Sequence, residues 1–201
     1  LVLLIGWTNK GSYGWGERQI GGIRVQGVIL DPLPVVEQIQ TMEQLDHVAG
    51  VVVRIESPGG SVAAAQEIHE ALLKLRGEKP VYASLGSVGA SGGYYIACAA
   101  EKIIANPGTL TGSIGVLLEW VNLEELGEHV GVELVSIKSG RFKNVPSLFE
   151  DLSKSERDLL QTVVDDTHEQ FIHAVHESRS QLPMERIREL ADGRVFTGRQ
   201  A

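Results

Sequence analysis

The run VVVRI at residues 51–55 limits the possible folds of this chain more than any other stretch. Its β-branched side chains are stiff at χ1 and suit a pleated surface better than a helix. A continuous run of this kind predicts a strand buried on both faces, the habit of parallel sheets covered by helices. The turn Ser57-Pro58-Gly59-Gly60 follows at once. Ser61 then reads as the N-cap of a helix to Arg76, with Ile68, Leu72 and Leu75 on one face and Gly77 ending it.

The strand–turn–helix unit recurs along the chain. Residues 81–85 predict a strand, 86–93 a Gly-rich turn carrying Ser91, and 94–100 a helix. Before them, 23–30 (IRVQGVIL) alternates like a strand, Asp31-Pro32 breaks it, and 33–47 has helical spacing through Val36, Ile39, Met42 and Leu45. After them come a short strand at 102–105, a loop entering an apolar strand at 111–116, a helix at 122–130 closed by Gly131, and a strand at 132–137. The longest helical pattern is 153–179. Ser153 and Glu156 give it a capping box, and Leu160, Val164, Phe171 and Val175 form its apolar seam. A short helix at 184–190, a turn at Asp192-Gly193 and the start of a further helix at the end complete the pattern. Strands alternating with helices at this spacing predict an α/β fold with a mostly parallel sheet.

At 201 residues the chain is expected to form a single domain. A net charge of −8 without a Lys/Arg cluster excludes the basic stripe of a nucleic-acid binder. The one cysteine, Cys98, excludes an internal disulfide and a Cys-rich metal site, and its alanine neighbours suit a buried small hydrophobe. Residues 1–7 (LVLLIGW) are apolar but shorter than the ~20 needed to span a bilayer. They read equally as a strand or as the tail of a membrane helix, and the absence of an initial Met suggests a processed or shortened form. Residues 11–16 are Gly-rich and look mobile.

Ser91 carries the strongest chemical signal. Ala90, Gly92 and Gly93 around it let another backbone or a substrate approach the hydroxyl, and a helix start beside it offers free N–H groups to an oxyanion. The plain alternative is an N-cap serine. A serine nucleophile needs a base. The six histidines (His47, His69, His129, His168, His173, His176) all fall in predicted helices, mostly on solvent faces, and none sits in a loop motif. His173 and His176 share a helix face without a third ligand, which argues against a metal site. The other base known for serine is a desolvated lysine. Lys143, in the loop SGRFKN before Pro146, has the context of a site.

Five motifs in this order carry a family resemblance: SPGG at 57–60, GASGGYYIA at 89–97, NPGTLTGSIGV at 106–116, GRFK at 140–143 and ADGRVFTGRQA at 191–201. Together they resemble the signal peptide peptidase A family of serine proteases, over nearly all of residues 23–201. The resemblance implies a ClpP/crotonase-like fold of repeated β-β-α-type units, with a mostly parallel sheet and a long C-terminal helix. It implies Ser91 as nucleophile, Lys143 as general base, Ser113 as a second serine bonded to the lysine, and the backbone N–H groups of Gly60 and Gly92 as the oxyanion hole. It implies neither metal nor cofactor. The implied substrates are released signal peptides and other apolar peptides. A ring or dome of copies sharing active sites is expected, on the extracytoplasmic side of a bacterial cell membrane, with residues 1–22 as the possible end of a removed anchor. Gly89 stands where the family often has alanine, a harmless change, and His168 where an aromatic residue is usual. The family's usual continuation after GRQA is missing, so C-terminal truncation is expected. Two rivals remain: a crotonase-like acyl-CoA enzyme of the same fold, and a catalytically silent scaffold.

Overall fold

Strand β1 (Gln19–Gln26) opens the computed structural model, which describes residues 18–201. The apolar stretch at 1–7, the Gly-rich stretch at 11–16 and most of the expected anchor segment therefore lie outside the described residues. The chain forms two compact units, one of residues up to Gly115 together with Phe171–Ala201, the other Val116–Gln170.

The first unit is built on one sheet. After β1 come α1 (Leu33–Gln44), β2 (Val48–Ser57), α2 (Val62–Arg76), β3 (Val81–Ala90), α3 (Gly92–Cys98), β4 (Lys102–Ile104) and β5 (Leu110–Gly112). The sheet order is β1-β2-β3-β5-β6, with β6 (Val195–Thr197) antiparallel to β5 and the other pairings parallel. β3 is twice the length that its apolar run predicts. Its first half pairs with β4 and its last residues, Val88–Ala90, with β5. Two buried clusters hold the unit together. One joins Ile23, Val53, Ile55, Val81 and Leu85 of the strands to Ile39, Met42, Ile68, Leu72 and Leu75 of α1 and α2. The other joins Tyr95 and Cys98 of α3 to Phe171, Ile172 and Val175 of α5 (Lys154–Ser178) and Ile187 of α6 (Met184–Leu190).

β2 departs from expectation. Val52 and Arg54 are exposed, so the strand is buried on one face only. Successive side chains point to opposite faces, and Arg54 in the middle of the run marks the open one. There its guanidinium donates to Ser84 Oγ (3.0 Å) and the Leu85 carbonyl (3.2 Å). Strand β1 also ends before Val28, and the end of the chain is a turn after β6 rather than a helix.

In the second unit, α4 (Glu124–Val130) ends at Gly131, whose φ of 71° is the left-handed C-cap conformation. α5 (Lys154–Ser178) starts here and ends in the first unit. Its capping box forms as predicted: the Ser153 N–H and hydroxyl both donate to Glu156 Oε2, at 2.9 and 2.6 Å. These bonds draw the Glu156 carboxyl below its ordinary range. Along the seam, Phe171 and Val175 are buried while Leu160 and Val164 are half-buried. The strand expected at 132–137 does not form. A strand needs a partner for its backbone groups, and this segment has no ladder among the described residues. Val132, Leu134, Val135 and Ile137 are exposed.

Candidate active site

Ser91 follows the last residue of β3 and is the N-cap of α3. Its φ of 51° and ψ of −124° are unusual for a residue with a side chain and carry a strain of about 1–3 kcal/mol. Its hydroxyl makes no capping bond to the helix. The plain N-cap reading therefore fails. The main chain holds the turn instead: Ser91 N–H donates to the Gly112 carbonyl (2.9 Å), and Tyr95 N–H donates to the Ser91 carbonyl (2.9 Å).

The SPGG turn lies directly against this serine. A Cβ added to Gly59 would fall 2.8 Å from Gly92 N and 3.1 Å from Ser91 Oγ. One added to Gly92 would fall 3.4 Å from Gly59 Cα and 3.5 Å from Gly60 N. On Gly60 it would collide with the Ile29 carbonyl at 2.2 Å, and on Gly93 it would meet the Ser57 carbonyl at 2.8 Å. Only glycine permits this approach of two backbones. The structure thus brings together Gly60, Ser91 and Gly92 at the carboxyl ends of β2 and β3. The first N–H groups of a helix have no acceptor within it, so Gly92 N–H is available. Gly60 N–H has no acceptor among the described residues.

Ser113 follows β5 at the same end of the sheet, next to Gly112, the acceptor of the Ser91 N–H bond. It too has a positive φ, 53°, and its N–H donates to the Arg194 carbonyl (2.8 Å). Arg194 is in turn gripped by Asp192, whose carboxylate accepts from Nε and Nη2 and is drawn down to a pKa of about 2 by these bonds. The last motif of the chain therefore supports the TGS motif. Lys143 belongs to the second unit, where it is exposed in the turn 141–144 and donates its N–H to the Gly140 carbonyl (3.1 Å).

Two local readings change. His47 sits in a turn, not a helix. His69 is 4% exposed, edge-on to Tyr95 with ring centroids 5.0 Å apart, and Tyr95 in turn packs on Phe171. Burial pushes the His69 pKa down. Its spacing from Ala65 and Leu72, both buried on α2, is the signal that places it inside. Ser57, fully buried at the end of β2, also escaped notice. Among the described residues no cluster of His, Cys, Asp or Glu could hold a metal ion, and no helix is long and apolar enough to cross a membrane.

Comparison with known proteins agrees with this architecture. The sequence model of peptidase family S49 matches residues 74–201, and that of Clp protease matches 31–109. The α/β fold is ClpP-like. A Synechocystis protein provisionally named a protease is 44% identical over 92% of this chain and 67% of its own length. A provisionally named signal peptide peptidase of Enterococcus faecium is 34% identical over 82% of this chain and 48% of its own length. The chloroplastic serine protease SPPA of Arabidopsis thaliana is 33% identical over 92% of this chain and 27% of its own. The chain spans from about a quarter to two thirds of the length of these relatives. The family match to most of the chain, with the protease relatives beside it, establishes that the chain belongs to peptidase family S49.

Proposed function

We propose that this protein is a serine endopeptidase that works through a Ser–Lys dyad on extended apolar peptides, such as signal peptides released from a membrane. Ser91 Oγ attacks the scissile carbonyl while its proton passes to a neutral Lys143 Nζ. The tetrahedral oxyanion is held by the N–H groups of Gly60 and Gly92. Its collapse expels the amine, which takes the proton from the lysine, and water then releases the acyl group by the same route. Ser113 accepts from or donates to the lysine and fixes its position. The observation that carries the reading is the strained Ser91, free of any capping bond, with the Gly59–Gly60 backbone against it. The crotonase-like and scaffold readings give no reason for that strain.

The dyad is shared between copies in this reading, with Lys143 of one subunit serving Ser91 of its neighbour in a ring or dome. Leu117, Val135 and Ile137 in the unit that carries Lys143 are more than 70% exposed, and a second copy would cover such side chains. Attachment to the outer face of a bacterial membrane completes the proposal, supported by the apolar residues 1–7. A serine-reactive fluorophosphonate tests the core of it. One adduct on Ser91 is the expected result, and no adduct would favour the rivals.

A further inference from the structure

We infer that Ser57 and the main chain of Ile29 are positioning residues that clamp the Gly59 peptide and so aim the Gly60 N–H at the developing oxyanion. The inference rests on the reading of Gly60 as an oxyanion donor. Gly59 is held at both ends. Its N–H donates to Ser57 Oγ at 3.1 Å, and its carbonyl accepts from Ile29 N–H at 2.9 Å. The clamp is anchored beyond the turn as well, because Ser61 N–H donates to the Ile29 carbonyl at 2.7 Å.

Geometry turns these bonds into an aiming device. In a trans peptide the C=O and the following N–H point in opposite directions. With the Gly59 carbonyl fixed on Ile29, the Gly60 N–H must face away from Ile29. Rotating that peptide would break the Ile29 bond and bury an unpaired carbonyl, a penalty of roughly 1–3 kcal/mol. Ser57 is 0% exposed and Ile29 4%, so water cannot replace either partner. Gly59 and Gly60, at φ of 107° and 156°, have no side chain of their own to resist rotation. The restraint has to come from outside the turn, and these two residues supply it. Neither touches the reacting atoms.

The test compares wild type with Ser57→Ala, which deletes the acceptor, and with Ile29→Pro, which deletes the donor. Ile29→Val, which keeps the N–H, is the reference for Ile29→Pro. Three readouts are taken on an apolar fluorogenic peptide: kcat, KM, and the inhibition constant of a peptide boronate that forms a tetrahedral adduct on Ser91. Removing an oxyanion donor outright lowers kcat by about 10²–10³-fold, so misaiming one should lower it by about tenfold or more. The boronate should weaken by the same factor while KM stays within twofold. Thermal unfolding identifies variants that do not fold, and Ser57→Ala decides alone should Ile29→Pro be one of them. The clamp is overturned by a kcat within twofold of wild type, or by a raised KM with kcat and boronate affinity retained. If Ser91→Ala still cleaves the same peptide, the nucleophile reading fails. If Ser91→Ala is dead and Ser57→Ala is normal, only the clamp fails.

Discussion

Gly59→Ala is the most direct probe of how tightly the site is built. The new methyl would stand 2.8 Å from both Gly92 N and Ser91 Cβ, and 3.1 Å from Ser91 Oγ. The first two contacts are closer than real Cβ atoms approach, and one of them is with backbone that cannot swing aside. Overpacking of this kind costs about 1–3 kcal/mol. The φ of 107° adds about 1–2 kcal/mol for a residue with a side chain. Restricting the unfolded chain returns about 0.5–1 kcal/mol. The net loss is then about 1–4.5 kcal/mol, which for a protein of this length lowers Tm by about 2–18 °C. Any relief of the clash must displace Ser91 or Gly92, and misplacement by ~1 Å can slow a reaction by about a hundredfold. The assay is thermal unfolding together with the rate of fluorophosphonate labelling at a temperature where the variant is folded. A variant as stable and as quickly labelled as wild type would refute the close approach of the two turns.

Ser91→Ala should abolish peptide cleavage and leave Tm almost unchanged, because the hydroxyl caps nothing. A loss of ~1 kcal/mol in urea unfolding would instead mark a capping role. Lys143→Arg should be inactive, since a guanidinium cannot serve as a neutral base, and activity in that variant would point elsewhere. Mixing Ser91→Ala with Lys143→Ala subunits should restore activity if the dyad is shared, with exchange confirmed by mass. Zero activity after exchange would place the dyad within one chain. His69→Phe should flatten the acid side of the stability profile. The folded-state pKa of His69 lies below its ordinary 6.5, so from that pH downward the unfolded chain takes a proton that the native state refuses. Stability then falls with pH until the folded-state pKa is passed. The variant, measured by urea unfolding between neutral and mildly acid pH, should lose that slope, and an unchanged slope would assign it to other groups.

The turns that carry Ser91 and the Gly59–Gly60 pair were more legible in the sequence than their surroundings. A serine between alanine and a glycine pair after a strand, and a glycine pair after another strand, are local signals, and the backbone obeys them. The strand at 132–137 was not decidable this way. Its β-branched residues state a preference, but a ladder depends on what lies beside it, and sequence spacing holds no record of that. The burial of β2 was misjudged for a related reason. Runs of valine say that a strand is apolar, whereas the single Arg54 says which face is open. Residue type alone would send His69 to solvent. Its place on α2, in register with Ala65 and Leu72, puts it inside. Ser57 and Ile29 were invisible as a pair, since only the folded chain sets the segment after β1 against the SPGG turn.

The antiparallel pairing of β5 with β6 also sets the order in which the Ser91 turn gains its support. Ser91 is bonded to Gly112, Gly112 pairs with Val195, and Ser113 is bonded to Arg194. Ser91 is translated well before β6, the strand that steadies its neighbours. A nascent chain therefore exposes a serine turn with one edge of its support still missing. The backbone support of the Ser91 turn is complete only once β6 has been made.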